Sequence, residues 1–286
     1  MTKQQERKDK QRPMQRILFG SPGTGKSYKV HNEYLRDFEP ENVIKTVFHP
    51  EYKYGDFMGR LMPLTKSGQI SYEFQAGHFM KALAKAYQNI TANEENPEQV
   101  ALVIDELNRG NSSGIFGTVF QLLDRDEYGW SSYELDLSDI EKDCLLKKMG
   151  FSPSFDEHGV ITGYQGFEGI KLNNNSAEEA NPKGVLLKDN NKICIPPNLS
   201  ILATMNTSDE SIYYMDSAFK RRWDWEFVPV DGNLIKKPGT PFEESEKDWK
   251  EFACKLNTFI KENGKHIRKV EDKLIGYHFL KAPYTY

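Results

Sequence analysis

The sequence predicts an α/β fold in which a parallel sheet carries helices on both faces. Three observations point there: short apolar runs that stop at glycines or polar groups, helical-period segments between them, and a glycine-rich turn joining the first run to a helix. At 286 residues the chain has room for one large domain, or one domain with a small companion. A formal net charge of −4 gives no global reason to expect nucleic-acid binding, which favours a basic domain.

The elements follow in order. Residues 1–13 are polar and expected to be disordered, with Lys3, Arg7, Lys8, Lys10 and Arg12 making a basic, solvated start. Ile17-Leu18-Phe19 is a buried strand that ends at the glycine-rich turn. Ser27 to Arg36 is helical in pattern, and Asn42 to Phe48 alternates as a second strand. Phe79 to Tyr87 reads as a helix, followed by an acidic loop around Asn93 to Glu98. Val100 to Ile104 is continuously apolar, as expected for a strand covered on both faces. Ser112 or Ser113 caps a helix that carries Ile115, Phe116, Val119, Leu122 and Leu123. Ile201 to Ala203 and Trp225 to Val230 supply two further strands.

Two regions break this rhythm. Residues 128–192 are long, polar and rich in turn formers, which marks a functional or mobile insertion before the Ile201 strand. Residues 243–263 form a separate amphipathic helix with Trp249, Phe252, Leu256, Phe259 and Ile260 on one side.

Other classes are excluded by what is absent. No apolar run approaches the roughly 20 residues of a membrane span, and the start lacks a secretion signal, so a cytoplasmic protein is expected. Cys144, Cys194 and Cys254 are far apart with no CxxC pair, and the six histidines are scattered. Neither a disulfide framework nor a zinc site fits.

Gly20-Ser21-Pro22-Gly23-Thr24-Gly25-Lys26-Ser27 matches G-x-x-x-x-G-K-[ST], the phosphate-binding P-loop, with a strand before it and a helix after it. Glycines let the backbone curl so that consecutive N–H groups face phosphate oxygens, and the helix start adds its partial positive charge. Lys26 would reach the β- and γ-phosphates, the Ser27 hydroxyl would complete a magnesium shell, and Tyr28 closes the nucleotide-contacting stretch. A carboxylate at the end of a neighbouring strand should accompany such a loop, and Asp105 meets that need as a metal ligand. Glu106 is then placed to deprotonate the attacking water. Asn206 ends another apolar strand in an amide that can hold that water or touch the γ-phosphate. Arg221 and Arg222 end a short helical stretch before the last strand. Either suits an arginine finger offered across a subunit boundary, because guanidinium is planar, always charged and forks onto phosphate oxygens.

This order of loop, acidic strand, Asn strand and paired arginines resembles AAA+ ATPases. The stretches Leu102 to Asn111, Ala203 to Asp209 and Met215 to Arg222, with Val47 to Phe57 and Ile275 to Phe279, look like McrB, the motor subunit of modified-cytosine restriction systems. The resemblance runs from residue 16 to about 127 and from about 194 to 280. It implies an AAA+ core over 14–231 with a five-stranded parallel sheet, and a partial, truncated helical lid over 232–286. It also implies a Mg2+-dependent NTPase that assembles as a homo-oligomeric ring, a hexamer, and binds a McrC-like nuclease subunit, with DNA met through that partner or the ring pore. AAA+ proteins at large favour ATP and McrB relatives GTP, so the base stays open. On this carry-over Asn206 is the sensor, Asp209 belongs to the motif that positions the catalytic groups, and Asn108 and Asn111 support the water. Glu210 stands where the family often has arginine, which puts that arginine's role in doubt. A nucleotide-gated scaffold with little turnover and an ATP-using remodeller unrelated to restriction are the alternatives. Direct DNA contact through the basic start or the insertion lacks a helix, ribbon or aromatic platform beside the charges.

Overall fold

Alternation within the apolar strands decides the architecture. In a computed structural model, which describes residues 13–66, 68–158, 161–166, 171–173, 191–207, 213, 215–230, 243–264 and 273–276, the chain opens with β1 (Gln15–Gly20) and α1 (Lys26–Lys29). A π-turn over Val30–Tyr34 extends that helix, where the sequence pattern predicts regular helix to Arg36. Then come β2 (Val43–Val47), α2 (Tyr54–Phe57), a hairpin of β3 (Gly59–Lys66) and β4 (Gln69–Ala76), α3 (His78–Ala92) and β5 (Val100–Asp105). The next helix, α4 (Ser112–Phe116), is capped by Asn111, ahead of both expected serines, and passes into a 3-10 turn over Gly117–Leu123. After the long insertion follow β11 (Leu199–Asn206), α6 (Ser217–Lys220), β12 (Asp224–Phe227) and α7 (Glu243–Glu262).

Five strands form one parallel sheet in the order β12-β1-β11-β5-β2. Odd and even residues of each strand go to opposite faces. Ile17, Leu102, Ile104, Ile201 and Ala203 belong to one buried cluster, under α3 and α4. Leu18, Ala101, Val103 and Leu202 belong to a second, with Val30 and Leu35. The first cluster is thick with aromatic rings: Phe57 lies 4.6 Å from Phe116 between centroids, and Phe116 lies 5.2 Å from Phe219. Burying both faces is what a five-stranded all-parallel sheet requires.

The register sets the site. Gly20 pairs with Asn206, Ala203 with Ile104, and Val47 with Asp105. The C-terminal ends of β1, β11 and β5 therefore share one edge of the sheet, where ligands of open α/β folds bind.

The segment expected to be a functional or mobile insertion has secondary structure among its described residues. Two short strands, β6 (Leu135–Asp136) and β10 (Lys192–Ile193), pair at its base. Between them lie α5 (Asp139–Lys148), β7 (Ser152–Phe155), β8 (Ile161–Gln165) and β9 (Lys171–Asn173), the last three an antiparallel sheet. A capping box starts α5: the Ser138 amide donates to Glu141 and the Glu141 amide to the Ser138 hydroxyl. Its Cys144, Leu145 and Leu146 are buried in the first cluster.

Arg125 bolts this base to the sheet. Its guanidinium donates to Gln15 Oε1 and to the carbonyls of Gly129, Ile195, Pro196 and Leu199, with no carboxylate among these acceptors. Burial pushes its pKa down to about 9, opposed by the nearby Cys194 and Asp126 side chains. Arg125→Leu leaves those buried acceptors without donors and is expected to lower stability by roughly 3 kcal/mol or more, read from denaturant unfolding.

One helix face departs from expectation. Among the α7 side chains that are described, Ala253 and Asn257 are buried and Leu256 and Ile260 half-buried, whereas Phe252 and Phe259 lie to solvent at 56% and 62% exposure; the Trp249 side chain lies outside them. The basic start falls outside the described residues. No helix among the described residues is long and apolar enough to cross a membrane.

Candidate functional site

The P-loop turns away from β1 through two glycines in left-handed backbone, Gly23 (φ 74°) and Gly25 (φ 88°), a region that L side chains rarely adopt. Ser21 and Thr24 are buried beneath the turn, and the Thr24 hydroxyl donates to the Ser21 carbonyl at 3.1 Å. Lys26 is 7% exposed and folds back on its own loop, its Nζ donating to Gly20 O at 3.0 Å and Ser21 O at 2.7 Å. Those carbonyls hold the ammonium at the cradle, from which a phosphate oxygen can draw it. Pro22 and Tyr28 are half-buried and Ser27 is exposed on the same turn and helix start.

Across the sheet edge, the Ser27 hydroxyl donates to Asp105 Oδ1 at 3.4 Å, and the same oxygen accepts from the Thr204 hydroxyl at 2.8 Å. Thr204 also accepts from the Glu106 amide at 3.4 Å, so one hydroxyl on β11 aligns both acids at the end of β5. Glu106 has φ 57° and ψ 45°, the only positive φ of a non-glycine among the described residues. Such a conformation costs on the order of 1–3 kcal/mol and persists where the surroundings over-determine it. Here the surroundings are Asn206, whose Nδ2 donates to both carboxylate oxygens at 2.9 and 3.0 Å.

Asn108 is fully buried and joins the same corner. Its Nδ2 donates to the Asn206 carbonyl at 2.7 Å, and its own carbonyl accepts from the Tyr213 amide at 3.1 Å. It therefore contacts Asn206 and Tyr213, described residues on either side of Asp209, which itself lies outside the described ones. Asn111 is spent as the cap of α4, its Oδ1 accepting from Gly114 N, and is not brought to the acids.

The paired arginines part company. Arg222 turns inward: its Nη2 pairs with Asp124 Oδ2 at 2.6 Å, Nη1 donates to Ala218 O at 2.8 Å, and the guanidinium stacks 4.0 Å over Phe120. Arg221 is exposed, and no carboxylate pairs with it among the described residues. Asp216 caps α6 through the Phe219 amide and accepts from the Ser113 hydroxyl, contacts that hold its carboxyl below the usual range.

The residues present fit a magnesium ion. Ser27 Oγ and Asp105 Oδ1 are hard oxygens close enough to share one, and no group of three His, Cys, Asp or Glu able to hold a metal occurs among the described residues. A cation that keeps several waters and takes the rest of its shell from phosphates suits so sparse a protein donor set.

Sequence reasoning passed over Thr204 and Asp124. Thr204 had a usable signal, since a hydroxyl two residues before Asn206 falls opposite Asp105 in register. Asp124 had none, because its partnership with Arg222 joins residues 98 apart.

Residues 15–223 match the AAA domain (dynein-related subfamily), and the chain belongs to that family of P-loop NTPases. Among curated relatives, the Type II restriction enzyme BsuMI component YdiS of Bacillus subtilis is 30% identical over 299 residues, covering 94% of this chain and 73% of that one. The Type IV methyl-directed restriction enzyme EcoKMcrB subunit of Escherichia coli is 25% identical over 267 residues, covering 92% of this chain but 45% of the relative. A solved protein of Cytophaga hutchinsonii aligns over 91% of this chain and 49% of its own at 12% identity and a TM-score of 0.33, too low to carry an argument. The chain is thus an AAA-domain protein related to components of restriction systems, and it spans under half the length of the McrB relative.

Proposed function

We propose that this chain is a magnesium-dependent ATPase or GTPase that works as a ring-forming motor, a hexamer, in a restriction system of the McrB kind. The observation that carries the reading is the meeting of Lys26, Ser27, Asp105, Glu106 and Asn206 at one edge of the sheet, with Asn206 forked onto Glu106. The P-loop from Gly20 to Ser27, with Tyr28, binds the triphosphate, and Lys26 exchanges its two loop carbonyls for β- and γ-phosphate oxygens. Ser27 and Asp105, the latter's carboxylate fixed by Thr204, would hold magnesium, which would supply charge to offset that of the phosphates. Glu106 takes a proton from the attacking water, and Asn206 aims both the water and that carboxylate. Asp209 helps to place these groups. Arg221, exposed and unpaired with any described carboxylate, reaches a neighbour's γ-phosphate, while Arg222 anchors the turn that presents it. The protein partners are other copies of the chain and a McrC-like nuclease subunit, with DNA met through that partner or the ring pore.

The fork on Glu106 also favours a second reading, a nucleotide-gated scaffold with little turnover, since both carboxylate oxygens are engaged. Steady-state phosphate release separates the two.

Thermal unfolding with magnesium and increasing ATP or GTP tests binding and base preference together. At 100 times Kd a ligand confined to the folded state adds about 2.7 kcal/mol, a rise in Tm of about 5–10 °C for a chain of this size. A rise with GTP alone supports the McrB-like role. A rise with ATP alone favours an ATP-using remodeller, and no rise with either overturns the proposal.

A further inference from the structure

The lid grips the phosphate cradle through main chain. Asn257, 6% exposed on α7, donates from Nδ2 to the Ile275 carbonyl at 2.9 Å and accepts the Ile275 amide on Oδ1 at 2.8 Å. One side-chain amide thus satisfies both backbone polar groups of one residue and fixes the segment that passes it. Leu274, 8% exposed, is buried next to Ile275 in the chain. The next residue, Gly276, donates its amide to the Pro22 carbonyl at 3.0 Å, at the turn of the P-loop. It sits so close that a Cβ there would lie 2.2 Å from Gly23 C and 2.4 Å from Gly23 O and Thr24 N. Those are backbone atoms that cannot swing aside, so only glycine allows the approach. On the other side of the cradle, the Thr207 amide holds Gly20 O at 3.2 Å. The loop is braced between the end of β11 and the lid.

We infer that Asn257 and Gly276 form a latch that preorganises the P-loop, and that they are positioning residues for nucleotide affinity. The inference rests on the nucleotide-binding reading above. Coupling of this kind is reciprocal: a lid that tightens nucleotide binding is itself tightened onto the P-loop by nucleotide. Because the grip is on the cradle and not on the reacting atoms, it acts equally on bound substrate and transition state. Loss of the latch then appears in KM and not in kcat.

The test uses the full chain, magnesium and fluorescent non-hydrolysable analogues of ATP and GTP. Gly276→Ala is expected to weaken binding about tenfold or more and Asn257→Ala about threefold to tenfold, within the usual range of such couplings. Turnover should show the matching rise in KM at nearly constant kcat. Cys254→Ala, on the exposed side of α7, serves as the unaffected control. Without nucleotide, amide hydrogen exchange over residues 20–27 should be faster in both latch variants than in the wild type. Affinities within about twofold of wild type in both variants, with Lys26→Ala still abolishing binding, would overturn the latch and leave the nucleotide reading standing. If the wild type binds neither analogue, the nucleotide reading fails. Exchange in the free protein then decides the latch by itself, and unchanged exchange at 20–27 refutes it.

Discussion

Glu106→Gln is expected to lower phosphate release about 100- to 10,000-fold, the range over which a positioned general base contributes, with nucleotide affinity nearly unchanged. The substitution keeps the side chain's shape but removes its charge, its capacity to take a proton and one of the two acceptors for the Asn206 amide. It leaves in place the Thr204 contact to the residue 106 amide and the left-handed backbone that aims the side chain. Single-turnover hydrolysis beside equilibrium binding of the same nucleotide provides the comparison. Equal rates for wild type and variant would sink the assignment of Glu106 as the base. If wild-type turnover is already at background, the scaffold reading takes its place.

The second large effect separates two adjacent arginines. Arg221→Ala should leave stability within about 0.5 kcal/mol, as exposed substitutions do, and reduce hydrolysis by about 1,000-fold or more, the scale of an arginine finger. Arg222→Ala should do the reverse in kind. It strips Asp124 of its 2.6 Å partner and the Ala218 carbonyl of its donor, costing roughly 2–4 kcal/mol. That is somewhat below the usual cost of breaking a fully buried pair, because Asp124 keeps some water. Mixing supplies the decisive arm. In a ring built from Arg221→Ala and Glu106→Gln subunits, an intact Glu106 can face a neighbour's intact Arg221, and activity should return in part. Failure of the mixture to exceed either parent, with mixed rings shown by sizing, would mean that Arg221 does not act across the boundary.

The core strands were legible because burial on both faces leaves a signature that survives without neighbours. Val100 to Ile104 is unbroken apolar sequence, and the structure buries all five residues. The P-loop was legible for a related reason: φ values of 74° and 88° demand glycine, so the backbone writes itself into the sequence. The insertion was not. Cys144, Leu145 and Leu146 are consecutive, so α5 lacks the spaced stripe that marks an amphipathic helix, and its burial depends on β4 and α3. The β3–β4 hairpin was missed because Leu61, Ile70 and Tyr72 are apolar residues left facing solvent. On α7 the aromatics Phe252 and Phe259 suggested the wrong inner face. A polar residue, Asn257, occupies it instead, and amide pairing to a single backbone residue has no periodicity to read. Within the site, the assembly of Asp105, Glu106 and Asn206 followed from strand ends, whereas the division of labour between Arg221 and Arg222 needed Asp124, remote in sequence.

The fork between Asn206 and Glu106 has a consequence for how a resting subunit behaves. The Asn206 amide lies against both oxygens of the carboxylate, so in this arrangement the two side chains are tied to one another. On the proposed reading, a γ-phosphate that competes for the Asn206 amide would loosen that tie and change the aim of Glu106. The fork is then a safety catch, set until a group of triphosphate length reaches the far end of the cradle.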